Sequence, residues 1–85
     1  MKYELFIEKT ALKELSKIPS KEQSHIITTI NDLTDDPRPF GVKKLTGREA
    51  WRIRVGKYRI IYEIQDDKLV ILIIHIGHRK DIYRK

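Results

Sequence analysis

The sequence predicts an α+β fold, in which one strand and a helical hairpin precede a three-stranded antiparallel meander. Apolar residues recur at helical spacing in the first half of the chain and alternate with polar residues in the second half. The length of 85 residues provides one hydrophobic core, so we expect a single domain over residues 1–85. The hairpin should pack on one face of a four-stranded sheet.

The first half of the chain predicts a strand followed by two helices. The segment YELFI at residues 3–7 is rich in strand formers. Helical spacing then runs to Pro19 and resumes until the segment DDPRPFG, whose prolines and glycine end it. Ser20 is the expected N-cap of the second helix, with Gln23 as its capping-box partner. We therefore expect an antiparallel helical hairpin between residues 9 and 35.

The second half predicts a meander with two distinct faces. In AWRIRV, Trp51 points to one face while Arg52 and Arg54 point to the other. The dipeptide GK forms a tight turn, and YRIIYEI alternates again, with Tyr58 on the face of Trp51 and Arg59 on the face of the arginines. After the turn QDDK, the segment LVILIIHI is apolar on both faces, which is typical of a central strand. The first strand is therefore expected to pair beside it.

Three arginines are expected side by side on the sheet face that the helices leave open: Arg52, Arg54 and Arg59. Like charges on adjacent strands destabilise a sheet, so their clustering indicates a bound anion. The net charge of +6, from 18 Lys and Arg against 12 Asp and Glu, favours the same interpretation. The planar fork of arginine suits phosphate. The alternative is an ordinary solvated strand face.

The segment HIGHRKDIYRK follows the most apolar strand directly. It is either a basic tail that keeps this strand soluble or part of an RNA-cleaving site. In the second interpretation, Gly77 turns the chain and brings His78, Arg79 and Tyr83 over the arginine face. Cleavage needs no metal, because the ribose 2′-OH can attack its own phosphate while cations stabilise the transition state. His78 has a reference pKa near neutrality and is the expected base, with Tyr83 as the alternative.

Other features restrict the function classes. His75 is expected to be a hydrogen-bonded histidine within the sheet, on the face of Ile71 and Ile73. The histidines lack neighbouring ligands for a metal, so we expect neither a metal nor a cofactor. The sequence contains no Cys and no apolar stretch of the roughly 20 residues that a membrane span needs. We expect no signal peptide, because the first residues lack an apolar h-region. We expect a cytoplasmic protein that does not contact a membrane.

The element order, KKLTGREAWRIRVGKYRIIYEI and IGHRKDIYRK together resemble the RelE-type toxins of the RelE/ParE superfamily, over essentially the full length. The resemblance implies a RelE-like fold and a toxin of a type II toxin–antitoxin system that enters the ribosomal A site and cuts mRNA by 2′-OH attack. It implies catalytic roles for Arg59, Arg79 and Tyr83. Family members often carry lysines where Arg52 and Arg54 stand. Since guanidinium stays protonated, the base would then be His78 or Tyr83. The full set of expected site residues comprises catalytic Arg59, Arg79, Tyr83 and His78, and RNA contacts Arg52, Arg54, Lys43, Lys44 and Lys80.

The resemblance also implies a cognate antitoxin that holds the toxin inactive in a hetero-oligomer. A disordered acidic segment of such a partner would complement the charge of +6. The chain shows no DNA-reading element, so we expect no direct DNA contact. Two alternatives stay open, a ParE-like inhibitor of DNA gyrase and an RNA-binding homologue that has lost catalysis. ParE-type chains generally lack the complete set of Arg59, Arg79 and Tyr83, which favours cleavage.

Overall fold

The computed structural model describes residues 2–47 and 49–78, so the predicted site residues Arg79, Lys80 and Tyr83 lie outside the described part of the chain. The elements in chain order are β1 (Glu4–Ile7), α1 (Lys9–Ser16), α2 (Ser20–Leu33), β2 (Lys43–Lys44), β3 (Trp51–Val55), β4 (Tyr58–Gln65) and β5 (Val70–His78). Among these described residues, no helix has the length and apolar character needed to cross a bilayer. The predicted α+β class and the order of its elements are confirmed.

The strands form one mixed sheet in the order β1-β5-β4-β3-β2. The apolar strand β5 lies between β1, which runs parallel to it, and β4, which runs antiparallel, so its predicted central place is confirmed. The predicted strand count of four is wrong, because Lys43 and Lys44 pair with Arg52 and Trp51 and add a fifth strand at the edge. A strand of two residues shows no alternation, so the sequence pattern gave no signal for it.

The helical hairpin covers one face of this sheet, as predicted. Trp51, Ile53 and Tyr58 pack against the margin of the core on that face. Each fully buried aliphatic side chain contributes about 1.5–3 kcal/mol by leaving water. The buried core cluster consists of Ala11, Ile18, Ile26, Ile30 and Leu33 from the helical half, and Ile60, Tyr62, Ile71, Ile73 and Ile76 from the sheet.

The junction between the two helices differs from the predicted capping box. The N-cap of α2 is Pro19, and no side chain caps the helix start at Ser20. The Gln23 side-chain amide instead donates hydrogen bonds to the carbonyl oxygens of Leu15 at 2.9 Å and Ile18 at 3.1 Å. The last carbonyls of a helix lack partners within the helix, and Gln23 supplies one. Gln23 therefore stabilises the bend after α1 and not the first turn of α2.

A β-bulge in β5 changes the expected alternation near the end of the strand. The register places His75 opposite Ile61 and Ile73 opposite Tyr62, so β5 has one residue more than β4 between these pairs. Ile76, and not His75, continues the buried row on the core face. The expectation that His75 shares the face of Ile73 is therefore wrong.

Candidate nucleic-acid interface

The sheet face directed away from the helices, which we call the open face, carries cationic side chains on three neighbouring strands. Lys43 on β2 lies opposite Arg52 on β3, and Arg54 on β3 lies opposite Arg59 on β4. Directly opposite residues project to the same face, with Cβ atoms about 5 Å apart. We call these four residues the basic patch. The predicted grouping of the three arginines is thus present in the fold, and Lys43 joins them.

Two local features of the sequence produce this arrangement. The alternation of β3 turns Trp51 and Ile53 to the core, which leaves Arg52 and Arg54 on the open face. Gly56 then adopts a φ of +60° in the turn between β3 and β4, a conformation that other residues rarely adopt. The tight turn fixes the register between the strands, and a slip of one residue would move every side chain of β4 to the other face.

Arg59 is the most enclosed member of the basic patch. Only 8% of the residue is exposed, whereas Arg54 opposite it is exposed. The residue that pairs with Arg59 on β5 is Gly77, which has no side chain. A guanidinium keeps its charge even when buried, and a buried charge is screened less by water and salt than an exposed one. Arg59 is therefore a fixed positive charge in the middle of the sheet, well suited to attract an anion.

The structure separates Lys44 from its neighbour Lys43. Lys44 lies opposite Trp51, whose side chain packs against the core, so Lys44 does not project onto the open face. Its Nζ lies 2.8 Å from Oε2 of Glu49, and hydrogen bonding to this ammonium lowers the pKa of the Glu49 carboxyl. The basic patch therefore includes only the first of the two lysines expected to contact RNA.

His78 lies away from the basic patch. The chain does not turn at Gly77 as expected, because β5 continues through His78, which pairs with Tyr58. The two rings meet edge-on, with centroids 5.8 Å apart and planes at 80°. Since Tyr58 packs against the core, His78 lies on the helix-covered side of the sheet end. Its expected position over the arginines is wrong, while its catalytic role stays a prediction.

The sequence analysis missed a contact between Glu14 on α1 and the end of β5. Its Oε1 accepts a hydrogen bond from the backbone N–H of Ile76 at 3.0 Å and lies 3.6 Å from Nδ1 of His75. The pairing of β1 ends at Ile7, so the later part of β5 has an edge that needs another hydrogen-bond partner. Glu14 accepts a hydrogen bond from one N–H of this edge and thereby connects α1 to β5. No periodicity in the sequence indicates a contact across 62 positions.

A helical hairpin on one face of a mixed sheet, with cations gathered on the other face, is the arrangement expected from the resemblance to RelE/ParE toxins. Residues 5–83 match the family model described as ParE toxin of type II toxin-antitoxin system, parDE. The chain therefore belongs to this family of type II toxins.

Individual relatives and structures agree with this assignment. The chain is 30% identical to Toxin RelG of Mycobacterium tuberculosis, over 100% of both chains. It is 29% identical to the mRNA interferase toxin RelE of Escherichia coli K12, over 94% of this chain and 86% of that one. An archaeal RelE–RelB complex from Pyrococcus horikoshii OT3 superposes with a TM-score of 0.83 at 30% identity and covers 100% of both chains.

Proposed function

We propose that this toxin is a ribosome-dependent mRNA endonuclease. The observation that carries the proposal is the facing pair of Arg54 and Arg59 on the open face, one exposed and the other nearly buried. Two guanidiniums on adjacent strands repel each other, and an anion bound beside both relieves this repulsion. A phosphate of the RNA backbone suits this place, because it accepts paired hydrogen bonds from arginine. The name of the E. coli relative, an mRNA interferase toxin, supports the same activity.

In the proposed reaction, the ribose 2′-oxygen forms a bond to the adjacent phosphorus while the bond from phosphorus to the 5′-oxygen breaks. The 2′-OH loses its proton to a base, and the 5′-oxygen gains a proton. The products are a 2′,3′-cyclic phosphate and a 5′-OH end. The phosphorane between them carries extra negative charge, which Arg59 and Arg54 would stabilise. Such electrostatic stabilisation is usually the largest single contribution to catalysis.

The other predicted residues complete this proposal. By resemblance to the family, Arg79 adds a further cation and Tyr83 stacks on a base or moves a proton. His78 and Tyr83 are the candidates for the base, since no arginine can serve as one. Lys43, Arg52 and Lys80 would hold the flanking RNA backbone. The ribosome would align the mRNA and contribute much of the orientation effect.

We further propose that a cognate antitoxin binds this toxin in the cytoplasm. The family is defined by a toxin–antitoxin system, and the P. horikoshii structure is a RelE–RelB complex. A net charge of +6 favours an acidic partner segment, which would fold on the toxin as it binds. Such a segment would compete with RNA wherever it covers the basic patch.

The test is primer extension on a reporter mRNA in a purified translation system. We expect the wild-type protein to produce cuts only on mRNA that is being translated. Arg59→Gln should reduce cutting about 100-fold or more, the usual effect of removing a group that stabilises transition-state charge. Lys21→Gln removes one charge from the exposed start of α2 and serves as the control. Intact mRNA with the wild-type protein would contradict the proposal.

Two alternatives would then be tested with the same protein. Inhibition of DNA gyrase is favoured by one observation, since the matching family model carries the ParE name. A supercoiling assay measures it directly, and inhibited supercoiling together with intact mRNA would establish it. Binding of RNA without cleavage would indicate a homologue that keeps the basic patch and lacks the acid–base groups.

A further inference from the structure

The loop between α2 and β2 presents an aromatic side chain to solvent. Phe40 has a relative exposure of 107%, against 50% or less for the other exposed large hydrophobic residues in the described part of the chain. A single exposed hydrophobic side chain is ordinary and indicates nothing by itself. The conformation of the loop that carries Phe40 and its place in the sheet provide the further evidence.

The loop is fixed to the sheet immediately before Phe40. The hydroxyl of Tyr62 donates a 2.7 Å hydrogen bond to the carbonyl oxygen of Pro37. The Arg38 guanidinium donates to both carboxylate oxygens of Asp66, at 2.8 and 3.3 Å. The same guanidinium lies 5.1 Å from the centroid of the Trp51 ring, in a cation–π contact. These contacts join the loop to β3, β4 and the turn that follows β4.

A tight turn then surrounds Phe40 itself. The N–H of Val42 donates to the carbonyl oxygen of Pro39 at 3.2 Å, and Gly41 has a φ of +93°. Beyond this turn, Val42 packs against the core. Since both ends of the turn are held, the backbone that carries the ring is already ordered. A binding partner would therefore lose little affinity to the ordering of this segment.

Phe40 also lies close to the end of the basic patch. It precedes Lys43 by three residues, so their Cα atoms are at most about 11 Å apart. Lys43 is the outermost cation of the patch, because β2 is the edge of the sheet. The patch thus runs from Arg59 in β4 to the β2 edge, and Phe40 precedes this edge along the chain. A track of cations combined with an aromatic side chain is the arrangement that binds single-stranded nucleic acid, the cations holding phosphates and the ring stacking on a base.

We propose that Phe40 stacks on an unpaired base of the mRNA strand whose phosphates lie on the basic patch. The identity of this RNA rests on the proposed function. The charge of the neighbouring strands favours RNA over an apolar pocket of a protein, because the nearest residues of the patch, Lys43 and Arg52, attract phosphate. The stacked nucleotide would lie beyond the cleaved bond, toward the β2 edge. Phe40 is thus a binding residue that fixes the register of the strand.

The first test measures binding of a single-stranded RNA oligonucleotide that is 2′-O-methylated at every ribose, which removes the attacking hydroxyl. The full chain is compared with Phe40→Ala and Phe40→Trp, and circular dichroism confirms that each variant is folded. We expect Phe40→Ala to bind about 5- to 100-fold more weakly and Phe40→Trp to retain affinity, because stacking needs only an aromatic face. Phe6→Ala is the matched control, since Phe6 is 50% exposed on β1, the opposite edge of the sheet. It should change affinity less than about twofold.

The second test identifies the stacked base by replacing one nucleotide at a time with an abasic one. The wild-type protein should lose affinity at one position where Phe40→Ala loses none, because the two changes remove the same contact. If both proteins respond equally at every position, the stacking proposal is overturned, while loss of affinity in Arg54→Gln would still support RNA binding by the patch. If the wild-type protein binds no better than Arg54→Gln, both proposals fall. If Phe40→Ala weakens only antitoxin binding, the ring fills a protein pocket and the proposal is wrong.

Discussion

Replacing Lys43 by glutamine is expected to weaken RNA binding, whereas the same replacement at Lys44 is expected to leave it nearly unchanged. The two lysines are adjacent in the sequence and chemically identical. Lys43 shares the open face with Arg52, while Lys44 lies opposite Trp51 and pairs with Glu49. The comparison therefore tests which face of the sheet binds RNA, with composition and net charge held equal.

The structure sets the size of the effect. Each phosphate neutralised on a single strand contributes about −0.7 to the slope of log K against log salt concentration. The four cations of the basic patch give a slope of about −2.8, since four contacts each contribute about −0.7. Lys43→Gln should reduce it to about −2.1 and weaken binding about fivefold at about 0.1 M salt. Lys44→Gln should keep the wild-type slope.

Fluorescence anisotropy of a labelled, 2′-O-methylated RNA oligonucleotide measures both quantities, in a salt series from about 50 to about 300 mM. The affinity and slope of each variant are obtained in the same titrations. Equal slopes for Lys43→Gln and Lys44→Gln would refute the reasoning, because the RNA would then not distinguish the open face of the sheet from the helix-covered face. A larger loss in Lys44→Gln would indicate that RNA contacts the other face.

Other substitutions separate stability from binding and are read out by urea denaturation. Arg54→Gln should raise the free energy of unfolding by about 0.2–1 kcal/mol, because it removes a like charge opposite the arginine on β4, and should lower mRNA cleavage. Tyr62→Phe should lower the free energy of unfolding by about 1–2 kcal/mol, because the partly buried carbonyl of Pro37 loses its donor. Hydrogen bonds from the Arg38 guanidinium and a tyrosine hydroxyl lower the pKa of Asp66, so this carboxylate stabilises the fold above its ordinary pKa. This stabilisation is lost as the pH falls through the lowered pKa that Asp66 has in the folded chain. Between about pH 5 and pH 2, the free energy of unfolding should therefore fall less in Asp66→Asn than in the wild type.

Each of these effects has a result that would contradict it. Lys68 is exposed in the turn between β4 and β5 and has no cation opposite it in a strand pair, so Lys68→Gln should bring no comparable gain in stability. Equal gains in Lys68→Gln and Arg54→Gln would mean that cross-strand repulsion is not the cause. Unchanged stability in Tyr62→Phe would mean that water replaces the hydroxyl. An identical acid limb in the wild type and Asp66→Asn would show that this carboxylate has the same pKa in the folded and unfolded chains.

The open face was predictable because a strand has a period of two. Once the alternation of β3 and the short turn at Gly56 are given, Arg52, Arg54 and Arg59 can share only one face. The bulge in β5 was not predictable by the same reasoning. An extra residue reverses the alternation without changing the composition of the strand, and its position depends on packing against the rest of the sheet. For this reason the expected face of His75 was wrong, whereas the expected position of His78 was wrong because β5 continues to His78 instead of turning at Gly77.

Long-range polar contacts were the other part that sequence reasoning missed. Arg38 and Asp66 are 28 positions apart, and nothing local in either segment identifies the partner. The same holds for Gln23, because nothing in its own segment shows that its amide donates to carbonyl oxygens at the end of α1. A capping box is a local pattern, and here the tertiary contact with the end of α1 takes the same side chain. Exposure of Phe40 also depends on the fold, because the loop composition predicts a turn without showing which side chains it turns outward.

His78 provides a last test, because its predicted role and its position in the structure lead to opposite results. Loss of a general base would reduce cleavage about 10²- to 10⁴-fold. His78→Phe keeps an aromatic ring against Tyr58 but cannot accept a proton. From the position of the ring beside Tyr58, we expect this variant to cleave within about threefold of the wild type, with an unchanged dependence of the rate on pH. A loss of about 100-fold or more, together with a changed dependence of the cleavage rate on pH, would restore His78 as the base. If the rate is kept, the base must be sought elsewhere, with Tyr83 as the next candidate, because Arg52 and Arg54 stay protonated.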